Sequence, residues 1–176
     1  MVKRKSQESI FKAPTIIAYL VKELYKKNPQ KQIGKTIIQK LIFILSRRLK
    51  LNFDFSLYHY GPYSPEVSAE INFAENLGMI NVQWEIENGY FIKPNNNKIQ
   101  KFENFLSSKE KRLIEEVVNR YGDFKAIELS LIATALYLMD YFNVPKNILA
   151  EKVHNLKPEY QLQFIKETLR KAGIEK

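Results

Sequence analysis

Cysteine is missing from the chain. That excludes disulfide bridges, thiolate metal sites and cysteine nucleophiles together, and it suits a reducing compartment. Histidine is scarce: His59 and His154 stand far apart and no His-x-x-x-His spacing occurs, so the helical zinc-hydrolase signature is lacking. The chain has no GxGxxG, no P-loop and no GxSxG, which removes the familiar sequence marks of a dinucleotide site, a phosphate cradle and a serine-hydrolase elbow. Long hydrophobic runs are absent too. The most apolar stretch, near Leu129–Met139, is too short and too interrupted to cross a bilayer. The N-terminus, Met1-Val2-Lys3-Arg4-Lys5-Ser6, is basic, but no apolar signal-peptide core follows it. What is left of acid–base chemistry is thin: Glu66 and Glu70 at i, i+4 on one helix, and a His59–Asp54 pairing. The expectation is a cytoplasmic, non-enzymatic protein without cofactor, metal or membrane contact.

The residues that are present can build an ordinary core. A chain of 176 residues can bury roughly 70% of the surface its unfolded form exposes, so no covalent staple is needed. The net charge of +9 is unevenly placed. Residues 1–50 hold 13 Lys and Arg against 2 Asp and Glu, whereas residues 51–106 hold 3 against 7. A basic segment of this kind is an electrostatic footprint for polyanions, and it is equally what a general lysine bias produces.

Hydrophobic spacing predicts a mainly helical α+β protein. Residues 1–12 read as a basic arm. Ala13-Pro14-Thr15 opens a first helix with Ile16, Ile17, Leu20, Val21 and Leu24 as its stripe, and Asn28-Pro29 stops it. A second helix, Lys35 to Leu49, is apolar over a wide face. Phe53 to Tyr60 alternates like a strand, and Gly61-Pro62 is a turn signal. Ser64 and Pro65 suit the cap and first position of a third helix running to Leu77. Two β-rich runs flank Asn88-Gly89, the favoured type I′ hairpin dipeptide, which would pair Ile86 with Phe91 and set Trp84, Ile86 and Phe91 on one face. Asn95-Asn96-Asn97 reads as a break between subdomains. Beyond it, Ser107-x-x-Glu110 is a capping box, and Ala126 to Phe142 is apolar nearly all round and should be central. Two further helices follow, near Lys146–Asn155 and Glu159–Ala172. The order helix, helix, strand, helix, hairpin is that of a winged helix. The expected organisation is therefore a winged-helix-like unit over residues 13–94 packed with a helical subdomain over residues 98–176.

Several short signatures resemble a known family. They are Lys40-Leu41-Ile42-Phe43, Tyr58-x-Tyr60-Gly61-Pro62-Tyr63-Ser64-Pro65, and Asn76-Leu77-Gly78-Met79-Ile80, with Leu156-Lys157-Pro158 in the helical tail. Together they resemble the Panacea antitoxin-domain superfamily, and more closely the YwgA-like proteins of bacteria and archaea. The resemblance implies a largely helical α+β fold. For Panacea members it implies neutralisation of a toxin through protein contact; for YwgA-like proteins it implies no agreed activity.

Two functions compete on the residues themselves. The first is a regulator that contacts nucleic acid mainly at phosphates, using Lys3, Arg4 and Lys5 of the arm and Lys35, Lys40, Arg47 and Arg48 of the second helix. The third helix, which in a standard winged helix enters the major groove, carries Glu66, Glu70 and Glu75 and no cation, so the usual docking mode is disfavoured by charge. The second is an antitoxin-type or adaptor module that meets a protein partner through that acidic helix and the tyrosine corner. Its candidate contacts are Tyr58, His59, Tyr60, Tyr63, Glu66, Glu70 and Phe73. The same aromatic cluster also reads as a rigid corner that only sets the approach angle of the third helix. Self-association into a homodimer is open on either reading.

Overall fold

The computed structural model describes residues 7–175; Lys3, Arg4 and Lys5 of the basic arm lie outside them. Helices α1 (Gln7–Lys27) and α2 (Lys35–Ser46) are followed by a hairpin of β1 (Ser56–Tyr58) and β2 (Gly61–Tyr63). Helix α3 (Pro65–Asn76) precedes a second hairpin of β3 (Ile80–Glu85) and β4 (Gly89–Pro94). The rest of the described chain is helical: α4 (Asn96–Phe102), α5 (Ser108–Tyr121), α6 (Ala126–Phe142), α7 (Leu149–Leu156) and α8 (Leu162–Lys171). The fold is thus mainly helical α+β, with two separate two-stranded antiparallel sheets. The segment between α2 and α3 contains a complete hairpin, where the alternation of Phe53–Tyr60 had indicated a single strand.

Helix α1 begins well before Ala13-Pro14, so the latter part of the presumed arm, Gln7 to Lys12, is helical and Pro14 lies inside the helix. Proline removes one i→i−4 hydrogen bond and crowds the preceding turn. Tertiary packing outweighs that cost here. Phe11 meets the rings of Phe73, Phe102 and Phe105 at centroid distances of 6.4, 5.6 and 5.5 Å. Lys12 pairs with Glu110 at 2.7 Å. The Thr15 hydroxyl donates to the Phe11 carbonyl at 2.6 Å, the back-bonding that accompanies bent helices.

The β3–β4 ribbon also differs from its sequence-based register. Trp84 pairs with Tyr90 and Val82 with Ile92, and the loop is three residues, Ile86 to Asn88, with Gly89 at φ 80°. A type I′ turn needs positive φ at both central residues; Asn88 does not have it. The observed pairing puts Ile80, Val82, Trp84, Tyr90 and Ile92 on one face, so Tyr90 and Ile92 share Trp84's side of the ribbon. Burial decides between the two registers. Ile80 and Ile92 are both nearly inaccessible, and a register of the other parity would turn Ile92 outward. The outer edge of β4 is held by the segment after α1, where Ile92 N–H donates to the Ile33 carbonyl at 2.9 Å and the Gln32 amide donates to the Tyr90 carbonyl at 3.0 Å.

The core is one cluster of buried residues running from Ile16 to Ile174. Helix α2 is buried without interruption from Ile37 to Leu45, and α6 lies against it, central as its all-round apolar character requires. The Asn95–Asn97 run is structured: the Asn95 side chain caps α4 by accepting from Lys98 N–H at 3.3 Å, and its own N–H donates to the Met79 carbonyl at 2.8 Å. The capping box at α5 forms as expected, with Ser107 N–H donating to the Glu110 carboxylate at 2.8 Å and Glu110 N–H to the Ser107 hydroxyl at 3.3 Å. Ser107→Ala should therefore lower unfolding stability by about 1 kcal/mol. A urea titration that shows no loss would contradict a contribution from this cap.

Candidate functional site

The β1–β2 hairpin carries the tyrosine corner. Tyr58 pairs with Gly61, Leu57 with Pro62 and Ser56 with Tyr63, leaving His59 and Tyr60 as the turn. Gly61 follows the turn at φ 90°, a region open to glycine and strained for other residues. It also has no room for a side chain. A Cβ at this position would lie 2.8 Å from Thr134 Oγ1 and 3.1 Å from the Ser130 carbonyl oxygen, both on α6.

Four carbonyls of the segment are held by buried donors from three other parts of the chain. The Lys157 ammonium, just past α7, donates to the His59 carbonyl. The Ser130 hydroxyl on α6 donates to the Tyr60 carbonyl at 2.6 Å. The Lys40 ammonium on α2 donates to the Pro62 carbonyl at 2.7 Å. The Gln39 side-chain amide donates to the Ser64 carbonyl at 2.9 Å, and its oxygen accepts the Ser64 N–H at 3.1 Å. Lys40 is 2% exposed and Lys157 4% exposed. Burial, reinforced by the charge of Lys157, pushes the Lys40 ammonium down to about 8 from its usual 10.5. Burial likewise lowers Lys157, with Glu159 opposing the shift. Two desolvated cations aimed at backbone carbonyls leave the turn little freedom, because moving it strands a charge away from both water and partner.

The side chains of the same turn face outward. Tyr58 is 60% exposed and Tyr60 62% exposed. Tyr58 meets the edge of Tyr63 at 5.5 Å, and His59 meets Tyr60 at 4.8 Å. Tyr63 is half-buried, and its hydroxyl accepts from Ser68 at 3.0 Å. Across the N-terminal turn of α2 stands the ribbon pair Trp84 and Tyr90, ring centroids 4.7 Å apart, with the Lys35 ammonium 4.3 Å from the Tyr90 ring centre. Trp84 is 61% exposed.

On α3, Glu66 and Glu75 are exposed and Glu70 is half-buried. The Ser64 hydroxyl donates to Glu66 at 2.6 Å and, with a backbone hydrogen bond, holds that carboxyl below its usual range. Glu75 accepts the Val82 N–H at 3.3 Å. Phe73 is half-buried against Phe11 of α1, so it is covered by the N-terminal helix.

Helix α2 ends at Ser46, so Arg47 and Arg48 lie just past it, and Lys35, Lys40, Arg47 and Arg48 do not gather on one face. Lys40 is interior. Arg47 grips Asp140 of α6 through two hydrogen bonds, of 2.6 and 3.0 Å, and Arg48 meets Glu116 of α5 at 2.7 Å. Lys35 sits at the opposite end of the helix, over Tyr90. As for acid–base chemistry, His59 and Asp54 are both exposed, and the ring partner of His59 is Tyr60. One Glu-x-x-His spacing does exist, Glu151 to His154 on α7. Its glutamate pairs with Lys166 at 2.8 Å and its histidine Nδ1 lies 2.9 Å from the Tyr160 carbonyl. Among the described residues, no three His, Cys, Asp or Glu side chains group closely enough to hold a metal ion. Among the same residues, no helix is long and apolar enough to cross a membrane.

Sequence reasoning gave no site role to Gln39, Ser130, Thr134 or Lys157, the last of which it met only in the Leu156-Lys157-Pro158 signature. A signal was there for three of them: Gln39 interrupts the apolar α2, and Ser130 and Thr134 interrupt the apolar α6 at i, i+4, a spacing that puts two hydroxyls on one face. Polar residues inside an otherwise continuous apolar helix need partners: Ser130 finds the Tyr60 carbonyl, Gln39 the backbone of Ser64, and Thr134 the Ser130 carbonyl of its own helix.

No curated protein matches the chain. A family model described as "Antitoxin SocA-like, Panacea domain" matches residues 38–135. The matched segment runs from α2 into α6, and it contains the hairpin together with Gln39, Lys40, Ser130 and Thr134, with Lys157 lying beyond it. With more than half of its length matched, and with the hairpin and most of its supports inside the match, the chain belongs to the SocA-like antitoxin family of Panacea-domain proteins.

Proposed function

We propose that this chain is an antitoxin-type module that neutralises a protein partner by presenting the clamped tyrosine hairpin as its contact surface. One observation carries the reading. Tyr58 and Tyr60 project into solvent from a turn whose His59, Tyr60 and Pro62 carbonyls are each held by a buried donor. Rigid, exposed aromatic side chains give contact area at little entropic cost, which is why tyrosine and tryptophan dominate binding energetics. Tyr63 supports the Tyr58 ring and His59 that of Tyr60, and α3 adds Glu66 and Glu70 to one flank. Within the family, the signatures at Lys40–Phe43, Tyr58–Pro65, Asn76–Ile80 and Leu156–Pro158 together favour a place near the YwgA-like proteins, a resemblance that implies no agreed activity.

The nucleic-acid reading has less support. It rests on Lys3, Arg4 and Lys5, which lie outside the described residues. Lys40 of α2 is buried, and Arg47 and Arg48, just past that helix, already have carboxylate partners. The exposed glutamates of α3 repel the phosphate surface that a winged-helix recognition helix would approach.

A photo-crosslinking residue at position 60 should capture one discrete protein, and the same residue at Gln163 on α8 should not. Expressed alone, the captured protein should arrest growth, and co-expression of this chain should restore it. The double change Tyr58→Ala, Tyr60→Ala should reduce the rescue at least tenfold, roughly the effect of removing a hot spot, with the thermal melt unchanged. Full rescue by the double variant rules the hairpin out. Salt-sensitive binding of duplex DNA with no protein captured would favour the phosphate reading.

A further inference from the structure

Two cavities open side by side along the N-terminal half of α2. One, of about 590 Å³, is walled by Tyr58, His59, Tyr60 and Tyr63. The other, of about 770 Å³, reaches the β3–β4 ribbon and is walled by Trp84 and Tyr90. Lys35, Thr36 and Tyr60 line both, so the two form one continuous groove with aromatic walls. The charged residues of its lining have a single sign, although Asp123 and Glu128 are close enough to act on Lys31. Lys31, Lys35, Lys40 and Lys125 line it, and among the described residues no aspartate or glutamate does. Two of these cations are fixed in the floor, Lys31 on the carbonyls of Gly122 and Phe124 and Lys40 on that of Pro62. Lys125 is exposed, and Lys35 is half-buried at the first position of α2.

We propose that this groove binds an extended, acidic segment of the partner protein, its carboxylates toward Lys35 and Lys125 and its apolar side chains between the rings; the proposal rests on the antitoxin-type reading above. Charge complementarity selects the occupant, since a groove lined by four lysines and, among the described residues, by no carboxylate attracts anions and rejects basic segments. A peptide fits better than a nucleic-acid strand for two reasons. The rings pair edge to face with one another (Tyr58 on Tyr63, His59 on Tyr60, Trp84 on Tyr90), so they do not lie open as a row of stacking platforms. The ribbon tip beside the groove carries Glu85 and Glu87, both exposed. A phosphate backbone, charged at every unit, meets those carboxylates, whereas a peptide carries negative charge only where the lysines are.

The test is selection of random dodecapeptides displayed on phage against the full chain. Aspartate and glutamate flanked by aliphatic or aromatic residues should be enriched. The selected peptides should bind Lys35→Glu and Lys125→Glu at least tenfold more weakly, the scale set by reversing a charge at a docking surface. Lys35→Glu places a carboxylate in the first turn of α2, which favours the helix, so lost binding there does not report unfolding. Enrichment without an acidic bias, no enrichment, or tighter binding of an oligothymidine dodecamer than of any selected peptide each overturns the proposal. The growth-rescue assay separates the two readings. If both lysine reversals rescue fully while the double tyrosine variant does not, the antitoxin-type reading stands and the acidic segment falls. If the double tyrosine variant rescues fully, the underlying reading falls first.

Discussion

Gly61→Ala is expected to lower the stability of the chain by about 3 kcal/mol, the sum of placing a Cβ at positive φ, about 1–2 kcal/mol, and of overpacking a filled site, about 1–3 kcal/mol. The new methyl group would lie 2.8 Å from Thr134 Oγ1 and 3.1 Å from the Ser130 carbonyl. Both belong to a central buried helix, which has little room to yield. For a domain of this size the loss corresponds to a fall in Tm on the order of 10 °C. Gly78→Ala is the internal control. Gly78 has φ 73°, but a Cβ there meets only the methylene groups of Lys98, at 3.7 Å and beyond, so its loss should be about 1 kcal/mol. Removing the hydroxyl by Thr134→Ala in the Gly61→Ala background should return part of the stability, a non-additivity expected of residues in contact. Equal losses at Gly61 and Gly78 would mean that backbone strain alone acts and that the hairpin is not wedged against α6. Because the hairpin must move to admit the methyl group, the same variant should lose growth rescue even where it remains folded.

Raising the pH from 7 to 10 should stabilise the chain by about 2 kcal/mol, most of it through Lys40. The folded value of about 8 lies below the unfolded value of 10.5. Between the two the unfolded chain binds more protons than the folded chain, so stability climbs with pH; below about 8 both states hold the proton and the burial penalty is fully present. Lys31 and Lys157, also lowered by burial, act in the same direction. Tyr19 acts in the opposite direction. Burial and its hydrogen bond to Glu115 raise it above the usual 10.0, so from about pH 10 upward the unfolded chain ionises first and stability falls. The profile should rise through the window from 8 to 10 and then turn over. Lys40→Met should flatten most of the rise, whatever it does to stability at pH 7, where loss of the buried charge and loss of a donor to the Pro62 carbonyl act in opposite directions. Urea titrations at successive pH values measure the slope, and an unchanged slope in Lys40→Met would place the titrating group elsewhere.

The two clearest departures from the sequence-based picture have one cause. In α1, propensity stops at Pro14, while contacts of Phe11 with Phe73, Phe102 and Phe105 extend the helix past it. In the β3–β4 ribbon, Asn88-Gly89 favours a two-residue turn, while burial of Ile92 beside the Ile33 carbonyl selects the three-residue loop. The turn preference amounts to about 1 kcal/mol and an interior proline costs about 3 kcal/mol, and long-range burial of several apolar side chains, at about 1.5–3 kcal/mol each, exceeds both.

The candidate site was half legible. The aromatic run Tyr58 to Tyr63 marks itself by composition, and the signatures around it are those of the family. Which of its side chains face solvent, and that Lys40 lies inside rather than on a phosphate-binding surface, depend on residues far along the chain.

The sequence by itself determined the class of fold, the caps of α3 and α5, the central place of α6 and the absence of thiol chemistry, because each follows from residue type and from spacing within about four positions. Only the tertiary structure decided what the lysines are for. Lys157 reaches the His59 carbonyl across 98 positions and Arg47 reaches Asp140 across 93, and a charge acquires its role from the partner the fold brings to it, which spacing along the chain does not encode.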